Sequence, residues 1–566
     1  MSSLAPADYA VITGFFVVMA AIGIYFRKRM LNVKIFFGGG KEVPWWLAGI
    51  SFYMCSFSAL AFVMYSALAY KYGWVSVTIF WVTVPSIFLG AVLFASRWRR
   101  AAQVSPLEYI EYRFGNKMRQ GLVWLGLPLR VIDDGMKLLA VGTIVAVALG
   151  FDIKTAIIAS GVIMISYTFL GGLWAALTAD FIQFIILLGG VIVLPFLVLS
   201  KVGGPANFIN NVPDGFFNLI NGDYNWFYIG AFFVNIFLGY NTSWTLVQRY
   251  YSVGSDKDAR KVGYLVAFLS FISPPIFFLP AMVGRVLLPD IPPEGMNEIY
   301  ALVCKMVLPV GMLGMIVAAM FSATMSSLAG EFNAIASVLT NDLYKRMISP
   351  KASEKKLMII ARTNTLIVGL AVISITLIIQ NVQGSQDLFN MMVKVFSIFI
   401  PPTAIPMLMG MLTKRVSNTG GLSGLLSGMA AGLITFVLGG FYPFLRLPQF
   451  IIPITSVVTL LAIFIATAIR PDSPSRRQKV EDFFKKIESD DIEAVSADTT
   501  SQKQKSPLSI IGFGVMAIGI ILIVSVLATV ALSESILSLV VGASMIGLGV
   551  IFQLLARRAN KADIKV

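Results

Sequence analysis

The residues best suited to chemistry are hydroxyls inside one long apolar run, residues 307–339. Ala323, Ser326 and Ser327 lie three and four positions apart there, so a helix would present all three on one face, which we call the serine face. Hydrocarbon solvates none of these polar groups, and they are expected to face protein or a water-filled cavity. This face could offer hydroxyl and carbonyl oxygens to a small hard cation, or it could pack as a small-residue surface against another helix.

Ionisable residues inside apolar segments form the second group, because charge within a membrane commonly serves an ion or substrate pathway. In the predicted span 121–148, Asp133 and Lys137 are four positions apart, and Arg130 and Asp134 have the same spacing. These residues form either two internal ion pairs that neutralise the helix or a charged wall of a substrate cavity.

Three further charges are isolated. Asp180 begins a predicted span, where a carboxylate would cap the helix or bind an ion or a proton. Glu331 follows the serine face near a helix end, where it would reach water or serve as an ion ligand. Asp180 and Glu331 are therefore the candidates for a second cation or proton site. Lys394 lies near the start of the predicted span 388–412 and would snorkel outward or meet an acidic or hydroxylated solute.

The composition indicates which class of protein holds these groups. Of 566 residues, 57% are hydrophobic and only 13% are charged, whereas about a quarter of a soluble protein is charged, so we predict a multi-pass membrane protein. Histidine is absent, which excludes histidine-based triads and metal sites. The motifs of P-loop ATPases, zinc proteases and serine hydrolases are also absent, so we expect neither an enzyme nor an ATP-driven pump. We attribute the net charge of +15 to membrane topology and predict no nucleic-acid partner.

Runs of about 20 apolar residues predict about fifteen membrane-spanning helices. Their approximate ranges are 8–26, 46–69, 75–95, 121–148, 153–170, 180–199, 226–248, 263–287, 307–340, 361–380, 388–412, 421–440, 450–469, 508–531 and 536–556.

Basic residues between these spans fall mainly on one side of the membrane. They include the clusters 27–29, 97–100 and 414–415, and Arg249 with residues 260–261. The positive-inside rule then places the N-terminus outside and the C-terminus in the cytoplasm of a plasma (inner) membrane. The polar segment 471–506 is expected to be a flexible cytoplasmic linker with a short amphipathic helix at 480–487.

Several stretches resemble one known family, the sodium/solute symporters, which include sodium–glucose and sodium–galactose cotransporters, proline permease, the iodide symporter and sialic acid transporters. The stretches that carry the resemblance are 36–46 (FFGGGKEVPWW), 105–109 (SPLEY) with 112–114 (YRF), 171–175 (GGLWA) with 180–183 (DFIQ), 248–249 (QR), 326–333 (SSLAGEFN) and 341–344 (NDLY). The similarity covers most of the chain, roughly residues 9–470.

The resemblance implies an all-α membrane protein with the LeuT-type fold, in which ten core helices form two inverted five-helix repeats. The repeats would be predicted spans 2–6 and 7–11. The implied divisions are an extra N-terminal helix and loop in 1–45, the transport core in 46–415, two helices in 416–470, the linker in 471–506, and two C-terminal helices with a tail in 507–566.

The resemblance also implies a sodium ion between the broken first core helix and the eighth core helix. By motif position its ligands would be the backbone carbonyls of Met54, Phe57 and Ala323 and the hydroxyls of Ser326 and Ser327. Members with a second sodium carry hydroxylated residues just after the paired serines, where this chain has Ala329 and Gly330. We therefore predict a single sodium ion.

Galactose contacts do not carry over, because Leu60 and Ala61 stand where the galactose transporters have a polar pair. The polar and aromatic residues that remain near the expected substrate pocket are Ser58, Trp81, Asp133, Lys137, Asn241, Thr242, Ser243, Trp244 and Lys394. Carboxylates and amides beside aromatic rings suit a polyhydroxylated ligand, because each of its hydroxyls needs a partner once water is removed.

These observations predict a sodium-coupled symporter that imports a small polar organic solute by alternating access, with a sugar or polyol favoured. Its partners would be the solute, sodium and the lipid bilayer, with no obligate protein partner. One alternative is a carrier of a carboxylated solute, such as a sialic acid or a monocarboxylate, recognised by Lys137 or Lys394. The others are a proton-coupled carrier and a solute sensor with this fold that does not transport.

Overall fold

The computed structural model describes residues 5–27, 41–56, 58–101, 106–168, 173–383, 388–488 and 507–562. Within these ranges the regular structure is helical, and the extended pairing is limited to one isolated bridge between Val43 and Val253. The all-helical class predicted from the apolar runs is confirmed.

The helices, in chain order, are α1 (Pro6–Arg27), α2 (Trp45–Ser56), α3 (Ala59–Tyr72), α4 (Val75–Trp81), α5 (Thr83–Leu93), α6 (Ala95–Ala101), α7 (Pro106–Phe114), α8 (Asn116–Leu149), α9 (Ile153–Thr168), α10 (Leu173–Val191), α11 (Leu194–Lys201), α12 (Pro205–Asn211), α13 (Trp226–Thr242), α14 (Trp244–Tyr251), α15 (Asp256–Leu287), α16 (Ile299–Val307), α17 (Met312–Val338), α18 (Glu354–Gln383), α19 (Leu388–Leu412), α20 (Asn418–Leu438), α21 (Pro448–Ile469), α22 (Pro474–Glu488), α23 (Leu508–Leu527) and α24 (Leu532–Ala562). The segments Pro293–Glu298 and Pro443–Arg446 are 3₁₀ turns, and Leu339–Ile348 extends α17 as a π-helix.

By length and hydropathy, eleven spans can cross a membrane within the described residues, and two bent helix pairs would raise the number to thirteen. The predicted number of about fifteen is not confirmed. One reason is that the predicted span 226–248 is two short helices, of 17 and 8 residues, that meet at Ser243. Another is that α8 and α9 meet at a bend of 118° and count as one pair.

Two helices are interrupted inside the membrane region. α2 and α3 meet at a bend of 58°, with Ser58 just before α3, and α13 meets α14 at Ser243. The backbone of Ser243 has φ −59° and ψ 124°, which is outside the helical region. In the predicted repeat these are the first helices of the two halves. Such interruptions free backbone groups within the membrane, which transporters use to hold ions and solutes.

The helix α17 carries the serine face and is the most deeply buried of the described single-helix spans. In its most apolar window 94% of the residues are buried, compared with 61% or less in the others. Oδ1 of Asp8 in α1 accepts hydrogen bonds from the backbone N–H groups of Gly311 (2.9 Å) and Gly314 (2.8 Å) at its start. Ser538 of α24 donates to the carbonyl of Val310 at 2.9 Å. Helices outside the predicted core thus fix the beginning of α17.

The basic residues of 97–100, 260–261 and 414–415 lie at one end of the helices, which we call the basic end. Arg99 and Arg100 of α6 both bind Asp256 at the start of α15, at 3.0 and 2.7 Å. The helix α22 packs at the same end, where Arg100 donates to the carbonyl of Ile487 at 2.9 Å and the rings of Phe483 and Tyr109 are 5.4 Å apart. The predicted linker 471–506 therefore contains a docked amphipathic helix, longer than the expected 480–487, and its residues 489–506 lie outside the described ranges.

Candidate sodium and substrate sites

The break between α2 and α3 packs directly against the middle of α17. The hydroxyl of Thr324 accepts a hydrogen bond from the backbone N–H of Ala59 at 2.9 Å, which satisfies one of the donors left open at the start of α3. On the other side of the break, Sγ of Cys55 lies 3.1 Å from Oγ of Ser326. Thr324 and Ser326 therefore contact both halves of the broken helix.

The predicted sodium ligands lie next to these contacts in the sequence. Met54 and Ala323 are fully buried, and Ser326 and Ser327 are 3% and 2% exposed. The hydroxyl of Ser327 has no hydrogen-bond partner among the residues that the structure describes. Phe57 lies outside the described residues. A buried hydroxyl beside an interrupted helix suits a hard cation that is coordinated by neutral oxygens.

A buried ion pair lies beside Ser326. Nη2 of Arg249 in α14 approaches Oδ2 of Asp180 in α10 to 3.8 Å, and the two side chains are 2% and 1% exposed. The hydroxyl of Ser51 in α2 donates to Asp180 and accepts from Nε and Nη2 of Arg249, each at 3.1 Å. Nη2 of Arg249 is also 3.0 Å from the sulfur of Cys55. A chain of polar contacts therefore joins the ion pair to Ser326.

Two sequence-based expectations for this pair are wrong. The helix α10 begins at Leu173, so Asp180 lies in its interior, where there is no open N–H for a capping carboxylate. Arg249 is not a solvated cytoplasmic charge, because its side chain is buried against α2 and donates to the carbonyl of Thr245 in its own helix at 2.7 Å. Both residues are occupied with each other and with Ser51.

A second carboxylate–arginine pair lies further along α17. One oxygen of Glu331 binds Nη1 of Arg130 in α8, and the other accepts a hydrogen bond from the hydroxyl of Thr245 in α14. The guanidinium of Arg130 also covers the ring of Trp244, 3.9 Å from its centroid. This arrangement corrects two expectations. Arg130 pairs with Glu331 rather than with Asp134, and Glu331 is buried instead of reaching water.

The predicted pair between Asp133 and Lys137 is present. Nζ of Lys137 is 2.7 Å from Oδ2 of Asp133 and 3.3 Å from Oδ1 of Asp134. Tyr240 lies next to Ser56 at the break and close enough to Lys137 to interact with its charge. One ammonium and two carboxylates thus form a charged group, which we call the Lys137 triad, near the end of α2. Its two carboxylates outnumber its one cation.

The other predicted substrate residues divide into two groups. The hydroxyl of Ser58 at the first break has no partner among the described residues, and Ser243 lies at the second break. Thr242 donates to the carbonyl of Leu238 within its own helix at 2.8 Å. These three residues therefore lie at the interruptions, although only Ser58 and Ser243 have side chains that are not committed to a bond within their helix.

Asn241 and Trp81 serve in helix packing. The amide of Asn241 donates to the carbonyl of Ser86 at 3.2 Å, and a Cβ on Gly90 would collide with it. The indole of Trp81 stacks on Phe271 at 5.3 Å and donates to its carbonyl at 2.8 Å. Phe271 is 52% exposed, so this pair faces the periphery of the protein.

Trp244 and Lys394 complete the predicted substrate set. One ring face of Trp244 is covered by Arg130, so that face is not open to a solute. Lys394 is half-buried in α19 and has no ion-pair partner among the residues that the structure describes.

Comparisons with known proteins agree with this architecture. The sequence model of the sodium:solute symporter family matches residues 36–428. The chain belongs to that family. Its members are secondary transporters, so the protein is a multi-pass, sodium-coupled solute symporter and not an enzyme.

Similar proteins transport different solutes. The symporter is 27% identical to the sodium/sialic acid symporter SiaT of Proteus mirabilis, over 75% of this chain and 88% of that protein. It is 28% identical to the pig (Sus scrofa) sodium/myo-inositol cotransporter 2, over 79% of this chain and 72% of that protein. A solved structure of a Na⁺-coupled sialic acid symporter aligns with a TM-score of 0.69 at 22% identity, covering 82% of this chain and 98% of that one. The LeuT-type fold is confirmed.

Sequence reasoning missed several residues around the two breaks of the symporter. Thr324, Ser51 and Tyr240 form the contacts described above, yet single hydroxyls in apolar helices give no distinctive pattern. The sequence did contain a sign of Arg249. This arginine lies six residues after the interruption at Ser243, inside the short helix α14, so it is expected within the membrane region. Thr245 had no signal, since its partner Glu331 is 86 residues away in the chain.

Proposed function

We propose that the symporter imports a small uncharged polyhydroxylated solute, a sugar or a polyol, together with one sodium ion. The observation that carries the choice of solute is the Lys137 triad, in which the only ammonium is engaged by two carboxylates at 2.7 and 3.3 Å. Because both carboxylates contact its ammonium, Lys137 is not free to pair with a carboxylated solute. Carboxylate oxygens accept hydrogen bonds from hydroxyls, which suits a polyol.

For the sodium site we propose the carbonyls of Met54, Phe57 and Ala323 with the hydroxyls of Ser326 and Ser327. The contacts of Thr324 and Ser326 with the broken helix support this assignment, because they bring the serine face to the interruption. The free hydroxyl of Ser327 supports it as well. Sodium would tie α2 and α3 to α17 and so favour the state that is open to the outside, which binds the solute.

The proposed substrate site lies around the breaks and includes Ser58, Ser243, Asp133 and Lys137, with Tyr240 between the break and the triad. We propose that the protein lies in the plasma (inner) membrane with its N-terminus outside and its C-terminus in the cytoplasm. The gathering of Arg99, Arg100 and α22 at the basic end supports this orientation.

A carboxylated solute is the second candidate. It is favoured by Lys394, whose ammonium has no ion pair among the described residues, and by the similarity to sodium/sialic acid symporters. The similarity to sodium/myo-inositol and sodium/glucose cotransporters favours the first candidate. The two candidates differ in whether the solute needs the ammonium of Lys394, and this difference can be measured.

The first experiment is a thermal-shift screen of the purified symporter against sugars, polyols and carboxylates, in sodium and in potassium buffers. A solute present at about 100 times its Kd should stabilise the folded state by about 2.7 kcal/mol. We expect stabilisation by a polyol or a sugar in sodium and none in potassium. Stabilisation by carboxylates alone, and its loss in Lys394→Met, would establish the second candidate instead.

The second experiment is uptake of the stabilising solute into proteoliposomes. Accumulation should follow an imposed sodium gradient and should be unaffected by an imposed pH gradient. Binding without accumulation would identify a sensor, and accumulation that follows the pH gradient without sodium would identify a proton-coupled carrier.

A further inference from the structure

The cluster formed by Arg130, Glu331, Thr245 and Trp244 has no role in the sodium and substrate sites proposed above. Its carboxylate is nevertheless only 8% exposed, and both oxygens of that carboxylate have partners. A buried ion pair is poor as a device for stability alone, because removing two charges from water offsets much of their attraction. What distinguishes this pair is the set of helices that it joins.

The cluster makes two contacts to the half-helix α14. Glu331 of α17 accepts the hydroxyl hydrogen of Thr245, and Arg130 of α8 lies over the ring of Trp244. Gly330 makes the close approach possible, because a Cβ at this position would lie 2.7 Å from Cγ2 of Thr245. The pair between Arg130 and Glu331 joins α8 to α17. Both charges therefore lie on the α17 side of the interface between α17 and α14.

The half-helix α14 is in turn attached to α2. Arg249 of α14 donates to Ser51 of α2 and contacts the sulfur of Cys55. A movement of α14 away from α17 would therefore draw the end of α2 with it. Because the proposed sodium site lies between α2 and α17, that movement would open the site toward the basic end. It requires the Thr245–Glu331 bond and the Arg130–Trp244 contact to break.

We propose that Glu331 is a positioning residue for transport: through Thr245 and Arg130 it holds α14 against α17 and keeps the sodium site closed toward the basic end. The identity of the closed site rests on the proposed function. The contacts between α14 and α17 that hold it closed are present in the structure. At this cluster, opening toward the basic end then involves the loss of one hydrogen bond and one cation–π contact, while the Arg130–Glu331 pair stays intact. The contact of Arg249 with Asp180 of α10 would be lost as well.

The native cysteines provide a test that needs no solute. Cys55 lies at the end of α2, beside Ser326, and is 8% exposed, whereas Cys304 in α16 is fully buried. The rate at which N-ethylmaleimide alkylates Cys55 in the purified full-length protein, followed by mass spectrometry of its peptide, reports opening. Cys304 in the same molecule reports general loosening of the fold.

The decisive variant is Thr245→Val, which keeps the shape and both charges and removes only the hydroxyl bonded to Glu331. In sodium-free buffer we expect Cys55 to be alkylated about tenfold faster than in the unchanged protein, the shift expected from losing one hydrogen bond to a charged group. Glu331→Gln should act in the same direction. Cys304 should stay unlabelled in both variants.

The matched control is Thr365→Val in α18, where a buried hydroxyl bonds only to the carbonyl of Ala361 in its own helix, at 3.0 Å. Its labelling of Cys55 should equal that of the unchanged protein. Equal rates of Cys55 labelling in Thr245→Val and in the control, or a joint rise of Cys55 and Cys304 labelling, would overturn the positioning role.

Sodium separates this proposal from the proposed function. Saturating sodium should slow the alkylation of Cys55 in the unchanged protein and in Thr245→Val. Faster labelling of Thr245→Val without any protection by sodium would keep the positioning role and reject the sodium site. Protection by sodium with no effect of Thr245→Val would keep the sodium site and reject the role of Glu331.

Discussion

The protein contains two buried carboxylate–arginine pairs of the same composition, and they differ in whether one of the two charges lies on the half-helix α14. In the first, the arginine is on the half-helix α14 (Arg249) and the carboxylate is on α10 (Asp180). In the second, both charges lie away from α14, which touches them through the neutral Thr245 and the ring of Trp244. The first pair would lose a charge–charge contact if α14 moved, and the second would not.

Burial and surroundings also differ between the pairs. The side chains of Arg249 and Asp180 are 2% and 1% exposed and continue through Ser51 and Cys55 to Ser326. Those of Arg130 and Glu331 are 16% and 8% exposed. The first pair therefore belongs electrostatically to the proposed sodium site, and the second acts at an interface between helices. A shared composition does not imply a shared role.

The largest effect is expected from Arg249→Met, which leaves Asp180 buried without its cation. Breaking a buried pair in this way destabilises a protein by about 3–5 kcal/mol. We expect a strongly lowered melting temperature of the purified protein and loss of transport. The double variant Asp180→Asn with Arg249→Met should recover much of the stability. A single variant as stable as the unchanged protein would contradict the importance of this pair.

A smaller effect is expected from Glu331→Gln. The neutral amide accepts a weaker hydrogen bond from Thr245 than the carboxylate does, while Arg130 keeps the ring of Trp244 and some contact with solvent. The stability loss should therefore be about 1.5–3 kcal/mol, the range for a hydrogen bond to a charged group. The melting temperature should fall less than in Arg249→Met. If the order of the two variants were reversed, the distinction drawn from their burial would be wrong.

Gly330→Ala tests the close contact between α14 and α17 directly. Its new Cβ would lie 2.7 Å from Cγ2 of Thr245, and overpacking of this kind costs about 1–3 kcal/mol. We expect a lowered melting temperature and faster alkylation of Cys55. Adding Thr245→Ser removes Cγ2 and keeps the hydroxyl, so it should restore both measurements. Failure of this second substitution to rescue would show that the strain lies elsewhere.

The smallest effect is expected from Trp244→Leu, which removes the ring beneath Arg130 and leaves the Arg130–Glu331 pair in place. A cation–π contact contributes about 0.5–2 kcal/mol. The alkylation of Cys55 should rise less than in Thr245→Val. A larger rise than in Thr245→Val would show that α14 is held mainly by the contact between Arg130 and Trp244, and not by the hydrogen bond of Thr245.

Much of the fold could be predicted because long apolar runs identify membrane-spanning helices. The all-helical class and the broken helices follow from hydropathy and from small polar residues at Ser58 and Ser243. The number of spans could not be predicted with the same success, because the segment 226–248 reads as one run although it is broken at Ser243.

The candidate site was predictable only where spacing along one helix decides the contact. The pair of Asp133 and Lys137 is an example, since residues four apart on a helix must be neighbours. The same rule failed for Arg130 and Asp134, because tertiary packing offers Arg130 a partner, Glu331, from another helix. Contacts between distant segments, such as Thr324 with Ala59, depend on how helices pack and leave no local pattern.

The most direct test of the account is sodium-driven uptake by the double variant Ser326→Ala with Ser327→Ala, using the solute found by the thermal-shift screen. The matched control is Ser322→Ala, one turn earlier on α17, whose buried hydroxyl bonds only to the carbonyl of Ala318, at 2.7 Å. We predict that the control accumulates solute along a sodium gradient, while the double variant neither accumulates the solute nor shows sodium-dependent stabilisation by it. Undiminished sodium-dependent accumulation by the double variant would contradict the proposed coupling site.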